Sequence, residues 1–164
     1  MDLPALYDDD LHAWALHQAA VLRGLKASRL PLPNDLDLEH VAEEIEDLGN
    51  EQRFQVESNI VQALIHLVKL AGAPEDPAVA HWLKAIAAFL DTAEDRFTPS
   101  MRRAIDMGAL WTKARRRLAR EAEQDGLHPP ALPDVVPFTL DEFVGGQAAP
   151  RALAARLGAV SGKG

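Results

Sequence analysis

Apolar residues recur at helical spacing along the whole chain. Leu11, Trp14, Ala15, Leu22 and Leu25, with Gln18 among them, follow a period near 3.6 and predict a first helix over residues 9–26, with Asp8 as its N-cap. The next stretch, SRLPLPNDLD, holds two prolines and a turn-prone Asn-Asp pair, so residues 28–37 read as a loop. Asp37 then caps a second helix that runs to Ala71, where Gly72 and Pro74 stop it. At 1.5 Å per residue such a helix is about 50 Å long. Its apolar stripe changes sides. Leu38, Val41, Ile45 and Leu48 share one face, whereas Ile60, Val61, Leu64, Leu67, Val68 and Ala71 lie nearly opposite, with Gly49-Asn50 at the changeover. The pattern predicts a kink there, or two halves packed against different partners.

A third helix is predicted to open at Asp76-Pro77, with Trp82, Ala85, Ile86, Phe89, Ala93 and Phe97 on its core face. A fourth begins at Thr98 or Pro99 and ends at Gly126, since Met101, Ile105, Trp111, Leu118 and Ala122 keep one stripe across Gly108. Residues 127–138 contain four prolines and read as an extended strap, after which Thr139 caps a short LDEFV helix. The tail, 146–164, is small and weakly apolar, and is expected to be weakly structured or to form a short helix near Arg151–Leu157. No strand pattern and no repeat is present. The expectation is an all-α fold: a single helical-bundle domain over residues 1–145, with about four main helices, a short C-terminal helix and no sheet.

Composition narrows the function classes. The 164 residues suffice for one domain with a real core, and 48% hydrophobic and 26% charged content is ordinary for a globular protein. A net charge of -8 repels nucleic acid and anionic membrane. With no cysteine, thiolate catalysis, disulfides and cysteine-type zinc sites are excluded, and a reducing compartment is compatible. The opening MDLPALYDDD has no basic region before an apolar stretch and does not read as a signal peptide. No run reaches the roughly 18 apolar residues of a membrane span. The expectation is a soluble, bacterial-type cytoplasmic protein.

An ordered set of segments adds a resemblance. YDDDLHAWALHQAAVLR, DLDLEHVAEEIEDLG, the HLVK of residues 66–69, the Trp82 segment, TPSM at 98–101, ALWTKAR at 109–115 and LPDVVPFTLDEFV occur in that order over residues 5–144. Together they resemble the family known as domain of unknown function 29. The resemblance implies a small helical bundle and no assigned activity.

The candidate chemistry lies along the second helix. Asp37, His40, Glu44, Asp47 and Glu51 step by threes and fours, and the same steps continue through Gln55, Asn59, Gln62, His66 and Lys69. One edge of the helix therefore runs from acidic through amide to basic. This stripe borders the apolar one, so Glu44 is expected near the core, capping a loop or paired with a basic residue of another helix such as Arg23, while Glu43 and Glu46 are solvated. Inward Glu and His side chains of a bundle can also bind a divalent metal, and His17, His40, Glu44 and Asp47 are the candidate ligands. Asp10, Trp14 and His17 share a face of the first helix. No Glu is followed by His three residues later, so the di-metal bundle pattern is missing. His66 is the candidate acid/base, set against the plainer role of a histidine bonded to a backbone carbonyl or to the helix of Trp82.

KARRRLAR, residues 113–120, carries five positive charges but lacks aromatic interleaving and a groove-reading motif, so nucleic acid is not expected as a partner. Arg115 lies on the apolar stripe and is expected to reach Glu44 or Asp47. Trp14, Trp82 and Trp111 lie on core faces of three helices, each indole N–H needing an acceptor. Two readings follow. The first is a non-enzymatic protein that binds another chain or itself as a homodimer, with no cofactor. The second is a divalent-metal-binding or small acid/base bundle using the inward carboxylates and histidines.

Overall fold

The computed structural model describes residues 3–28, 31–127, 131–146 and 149–161. They hold seven α-helices, one 3-10 turn and no strand. The chain divides into two compact units, residues 1–55 with 97–104, and residues 56–96 with 105–164.

The first unit contains α1 (Leu3–Asp9), α2 (Leu11–Ala27), the first half of α3 (Leu38–Gly72) and the 3-10 turn Pro99–Arg103. Asp10, not Asp8, is the N-cap of α2. Its backbone leaves helical geometry at φ -148°, ψ 74°, and its side chain accepts the Ala13 N–H at 2.9 Å. Asp8 lies inside α1 instead. Tyr7 meets Trp14 edge-on, ring centres 4.9 Å apart, which fixes α1 against α2.

The first half of α3 corrects the expected stripe. Val41 and Leu48 are 40% and 49% exposed, and the buried positions are Leu38, Ala42 and Gly49. The reason is a close approach of helices. A Cβ on Gly49 would lie 2.9 Å from the Ala15 Cβ and 3.3 Å from the His12 carbonyl oxygen, so only small residues fit there. With Ala42 and Gly49 as the inward positions, Leu38, Ala42, Gly49, Val56, Ile60, Ala63, Leu67 and Leu70 form one stripe stepping by three, four or seven. The changeover of faces disappears, and α3 is a single uninterrupted helix. Ion pairs tie its flank to α2: Arg23 to Glu46 at 2.6 Å and Lys26 to Glu39 at 2.7 Å.

The second unit is built around the rest of α3. Val56, Ile60, Val61, Ala63, Leu64, Ile65, Leu67, Val68 and Leu70 are all buried, so this half is apolar nearly all round, as an interior helix must be. Around it α4 (Val79–Arg96) buries Ile86, Leu90 and Ala93, and α5 (Met107–Gln124) buries Leu110, Trp111, Ala114 and Leu118. Helix α4 starts two residues after Pro77, because Asp76 spends its carboxylate on the Ala78 N–H in the preceding turn, at 2.7 Å.

The single helix expected from Thr98 to Gly126 is two elements. Asp106 breaks it, adopting extended geometry and capping α5 by accepting from Gly108 N at 2.8 Å and Ala109 N at 3.2 Å. At the other end Gly126 takes φ +68°, and the Leu127 N–H closes on the Ala122 carbonyl at 2.7 Å.

The strap is held by α5. Trp111 donates its indole N–H to the Pro133 carbonyl at 2.9 Å, and Arg115 pairs with Asp134 at 2.9 Å. In α6 (Asp141–Val144) the Glu142 carboxylate accepts from the backbone N–H of Thr139 at 2.8 Å and from its hydroxyl at 3.1 Å. The tail holds a helix, α7 (Pro150–Ser161), which buries Leu153, Ala154 and Leu157 and packs on α4. Its Arg156 bonds Glu142 and the Pro137 carbonyl and stacks over Phe138. Residues 128–130 of the strap, and 147–148 and 162–164 of the tail, lie outside the described residues. Among the described residues, no helix is long and apolar enough to cross a membrane.

Candidate functional site

Two constellations stand out in the first unit, one buried and one exposed. The buried one joins residues 90 apart in sequence. Asp10, its side chain already capping α2, also accepts the Ser100 N–H on Oδ2 at 2.9 Å and the Ser100 hydroxyl on Oδ1 at 2.7 Å. His12 Nδ1 lies 2.7 Å from the same Ser100 Oγ, and Thr98 Oγ1 lies 3.4 Å from it. Asp10, His12 and Thr98 are all buried. One carboxylate therefore caps α2 and grips the 3-10 turn, which packs against α2.

Hydrogen-bond arithmetic sets the roles. Ser100 has one hydroxyl proton, and an ionised carboxylate can only accept it. His12 Nδ1 must then carry a proton and donate it to Oγ. In a hydrolytic triad the histidine stands between acid and serine and takes the serine proton. Here the serine stands between, and its proton goes to a carboxylate. The order is that of a latch rather than an activated nucleophile.

The electrostatics agree with this order. Burial works to raise the Asp10 pKa, but the N–H groups of Ala13 and Ser100 and the hydroxyls of Ser100 and Thr98 outweigh it and hold the carboxyl below its ordinary value. Burial lowers the His12 pKa. Asp10 pulls it back up, and the charge of Arg53 adds to the lowering.

The exposed constellation is the outer side of α3. Because Ala42 and Gly49 take the inward positions, Val41, Leu48 and Phe54 are left outside, Leu48 and Phe54 each at 49% exposure. A shallow groove of about 500 Å³ is lined by Glu44, Asp47, Leu48, Asn50, Glu51 and Phe54. Arg53 lies at its rim, its guanidinium 4.7 Å from the centre of the Phe54 ring.

Glu44 was expected near the core with Arg23, but it is exposed, and Arg23 takes Glu46. The close approach at Gly49 turns the helix so that Glu46 borders α2 and Glu44 does not. Arg115 was expected to reach Glu44 or Asp47; it pairs with Asp134, supplied by the strap beside it. His17 is half-buried on α2. His40 is exposed and bonds Asp37, which raises its pKa through that hydrogen bond and the adjoining negative charge. Glu44 and Asp47 share the groove, but among the described residues no three His, Asp or Glu side chains are grouped to hold a metal ion.

In the second unit His66 Nδ1 bonds the Gln62 carbonyl at 2.8 Å, with its ring 5.5 Å from Phe89. Lys69 pairs with Glu121 at 2.8 Å, and Trp82 is half-buried on α4.

Sequence reasoning missed His12, Thr98 and Ser100. The signal was indirect: DLH and TPS sit inside the YDDDLHAW and TPSM segments that carry the family resemblance, and these two segments meet at the latch.

Comparison with known proteins agrees with that resemblance. The family model described as "Domain of unknown function DUF29" matches residues 6–147. The chain belongs to the DUF29 family. Among solved structures it is similar to an alpha-helical protein of unknown function from Rhodospirillum rubrum, at 35% identity and a TM-score of 0.82, covering 93% of this chain and 97% of that one. No curated protein matches. Asp10, His12, Glu44, Leu48, Phe54 and Ser100 all fall within the residues matched by the DUF29 model.

Proposed function

We propose that this DUF29 protein is a non-enzymatic interaction protein that binds another protein chain through the outer side of α3. The observation that carries this reading is the distribution of exposed apolar side chains. Of ten large apolar side chains exposed among the described residues, eight belong to the first unit: Tyr7, Leu16, Val21, Leu32, Leu36, Val41, Leu48 and Phe54. Single exposed apolar residues are ordinary, but Leu48 and Phe54 line one groove together, which is what a partner can cover. The latch order of Asp10, Ser100 and His12 argues against hydrolytic chemistry in the same unit. On this reading the protein works without a cofactor. We place it in a bacterial cytoplasm, since its lack of cysteine is compatible with a reducing compartment and the similar solved structure comes from a bacterium.

The test is photo-crosslinking in cells of the source organism, with benzoylphenylalanine replacing Leu48, Phe54 or, as a control in the second unit, Thr112. The expected result is a discrete protein adduct from positions 48 and 54 that position 112 does not give. Adducts no different from the control would overturn the reading.

A further inference from the structure

We infer that the groove on α3 receives a cationic amphipathic helix of a partner protein. The inference rests on the interaction reading above and adds the chemistry of the partner.

Five of the seven carboxylates of α3 fall into two groups. Those on the flank toward α2 are neutralised: Glu46 by Arg23, and Glu39 by Lys26 and Arg23. Those in the groove are not. Glu44 and Asp47 have no hydrogen-bond or ion-pair partner among the described residues, and Glu51 only accepts from the Gln55 side-chain amide at 3.1 Å. Three carboxylates without an ion-pair partner among the described residues thus flank Leu48 and Phe54 along one side of the helix, with the Arg53 guanidinium at the Phe54 end. Val41, Glu44, Leu48, Glu51 and Phe54 step by three and four, so apolar and acidic positions alternate along about 20 Å of helix axis.

That alternation selects among occupants. A second copy packed face to face would set three carboxylates against three, which is unfavourable at neutral pH. Nucleic acid and anionic membrane are repelled by the same charges. A helix carrying apolar residues at i, i+3 or i+4, and i+7, with Lys or Arg beside them, satisfies both components. Its apolar row covers Leu48 and Phe54, and its flanking cations meet Glu44, Asp47 and Glu51. The length of the face matches three to four turns of such a helix, on the order of 14 residues.

The experiment uses the full chain and two dye-labelled 14-residue helical peptides with identical leucine rows, one with lysine at the flanking positions and one with glutamate. Binding is read by fluorescence anisotropy at low and high salt. The Leu/Lys peptide is expected to bind at least tenfold more tightly than the Leu/Glu peptide and to weaken as salt rises. Binding should fall at least tenfold in Leu48→Ser/Phe54→Ser, and again in Glu44→Gln/Asp47→Asn/Glu51→Gln, with circular dichroism unchanged. Equal affinity for both peptides, or a Leu/Lys affinity that the groove variants leave untouched, would overturn the inference. A homodimer seen by sedimentation and lost in Leu48→Ser would also overturn it, by giving the groove to a second copy. The two readings separate cleanly. Crosslinks at position 48 without peptide binding sink the cationic helix alone, whereas missing crosslinks sink the interaction reading itself.

Discussion

The two halves of α3 belong to one helix and obey different rules. From Val56 to Leu70 nine side chains are buried, most of them large, on almost every face. From Leu38 to Gln55 the buried positions are Leu38, Ala42 and Gly49, while Val41, Leu48 and Phe54 stand in solvent. In the second half hydrophobicity locates the core. In the first half size does, because Gly49 meets Ala15 at a distance no larger residue tolerates. An apolar residue on such a helix is not thereby a core residue, and its exposure asks what covers it.

The contrast is broken first by truncation in the second half. Leu64→Ala should destabilise by about 2–5 kcal/mol, the usual cost of a buried leucine. Leu48→Ala should change stability by no more than about 0.5 kcal/mol. Chemical denaturation of both variants decides; similar losses would erase the distinction.

The latch comes next. Asp10→Ala removes the cap of α2 and leaves the Ser100 N–H and hydroxyl without their acceptor, an expected loss of about 2–4 kcal/mol. Because the latch lies in the first unit, hydrogen exchange should speed up chiefly in α1, α2 and residues 97–104.

Glycine gives a finer contrast. Gly49→Ala should cost about 1–3 kcal/mol through overpacking against Ala15. Gly24→Ala, in α2 with open space around it, should stabilise by about 0.5–1 kcal/mol. Thermal melts of the pair should move in opposite directions.

The smallest expected effect is on pH dependence, where two histidines of the first unit act with opposite sign. The folded-state pKa of His12 is depressed, so below its ordinary 6.5 the unfolded chain takes up a proton that the folded chain refuses. Stability therefore declines as pH falls from about 6.5. The carboxyl of Asp10, also depressed from 3.8, adds a further loss as pH falls through its folded value. The His40 pKa is raised by Asp37, so its contribution is complete below 6.5 and disappears as pH rises through the folded value. His12→Asn should flatten the acid side of the stability profile, and His40→Gln the neutral-to-alkaline side.

Much of the fold was legible because helical periodicity is a local signal. The all-α class, the α3 span from Asp37 and the short helix after Thr139 followed from spacing and turn signals, although the N-cap of that short helix is Leu140 and not the expected Thr139. The loss of the fourth predicted helix at Asp106 shows the limit. Ile105, Trp111 and Leu118 kept one stripe, and the cap that interrupts it depends on a backbone turn that apolar spacing does not encode. The candidate site was less legible for two physical reasons. The Asp10–Ser100 latch joins residues 90 apart, which no periodicity links. Glu44 and Glu46 exchanged their expected environments because the inward face of α3 is set by Gly49, and small residues are silent in a reading that follows large ones.

The central claim is that Leu48 and Phe54 are kept for binding and not for folding. The direct measurement sets the unfolding free energy of Leu48→Ser/Phe54→Ser beside its affinity for the Leu/Lys helical peptide. The account predicts stability within about 1 kcal/mol of the parent chain, about 0.5 kcal/mol for each substitution, and an affinity at least tenfold weaker. A loss of stability of about 2 kcal/mol or more, with peptide affinity unchanged, would place these side chains in the core and contradict it.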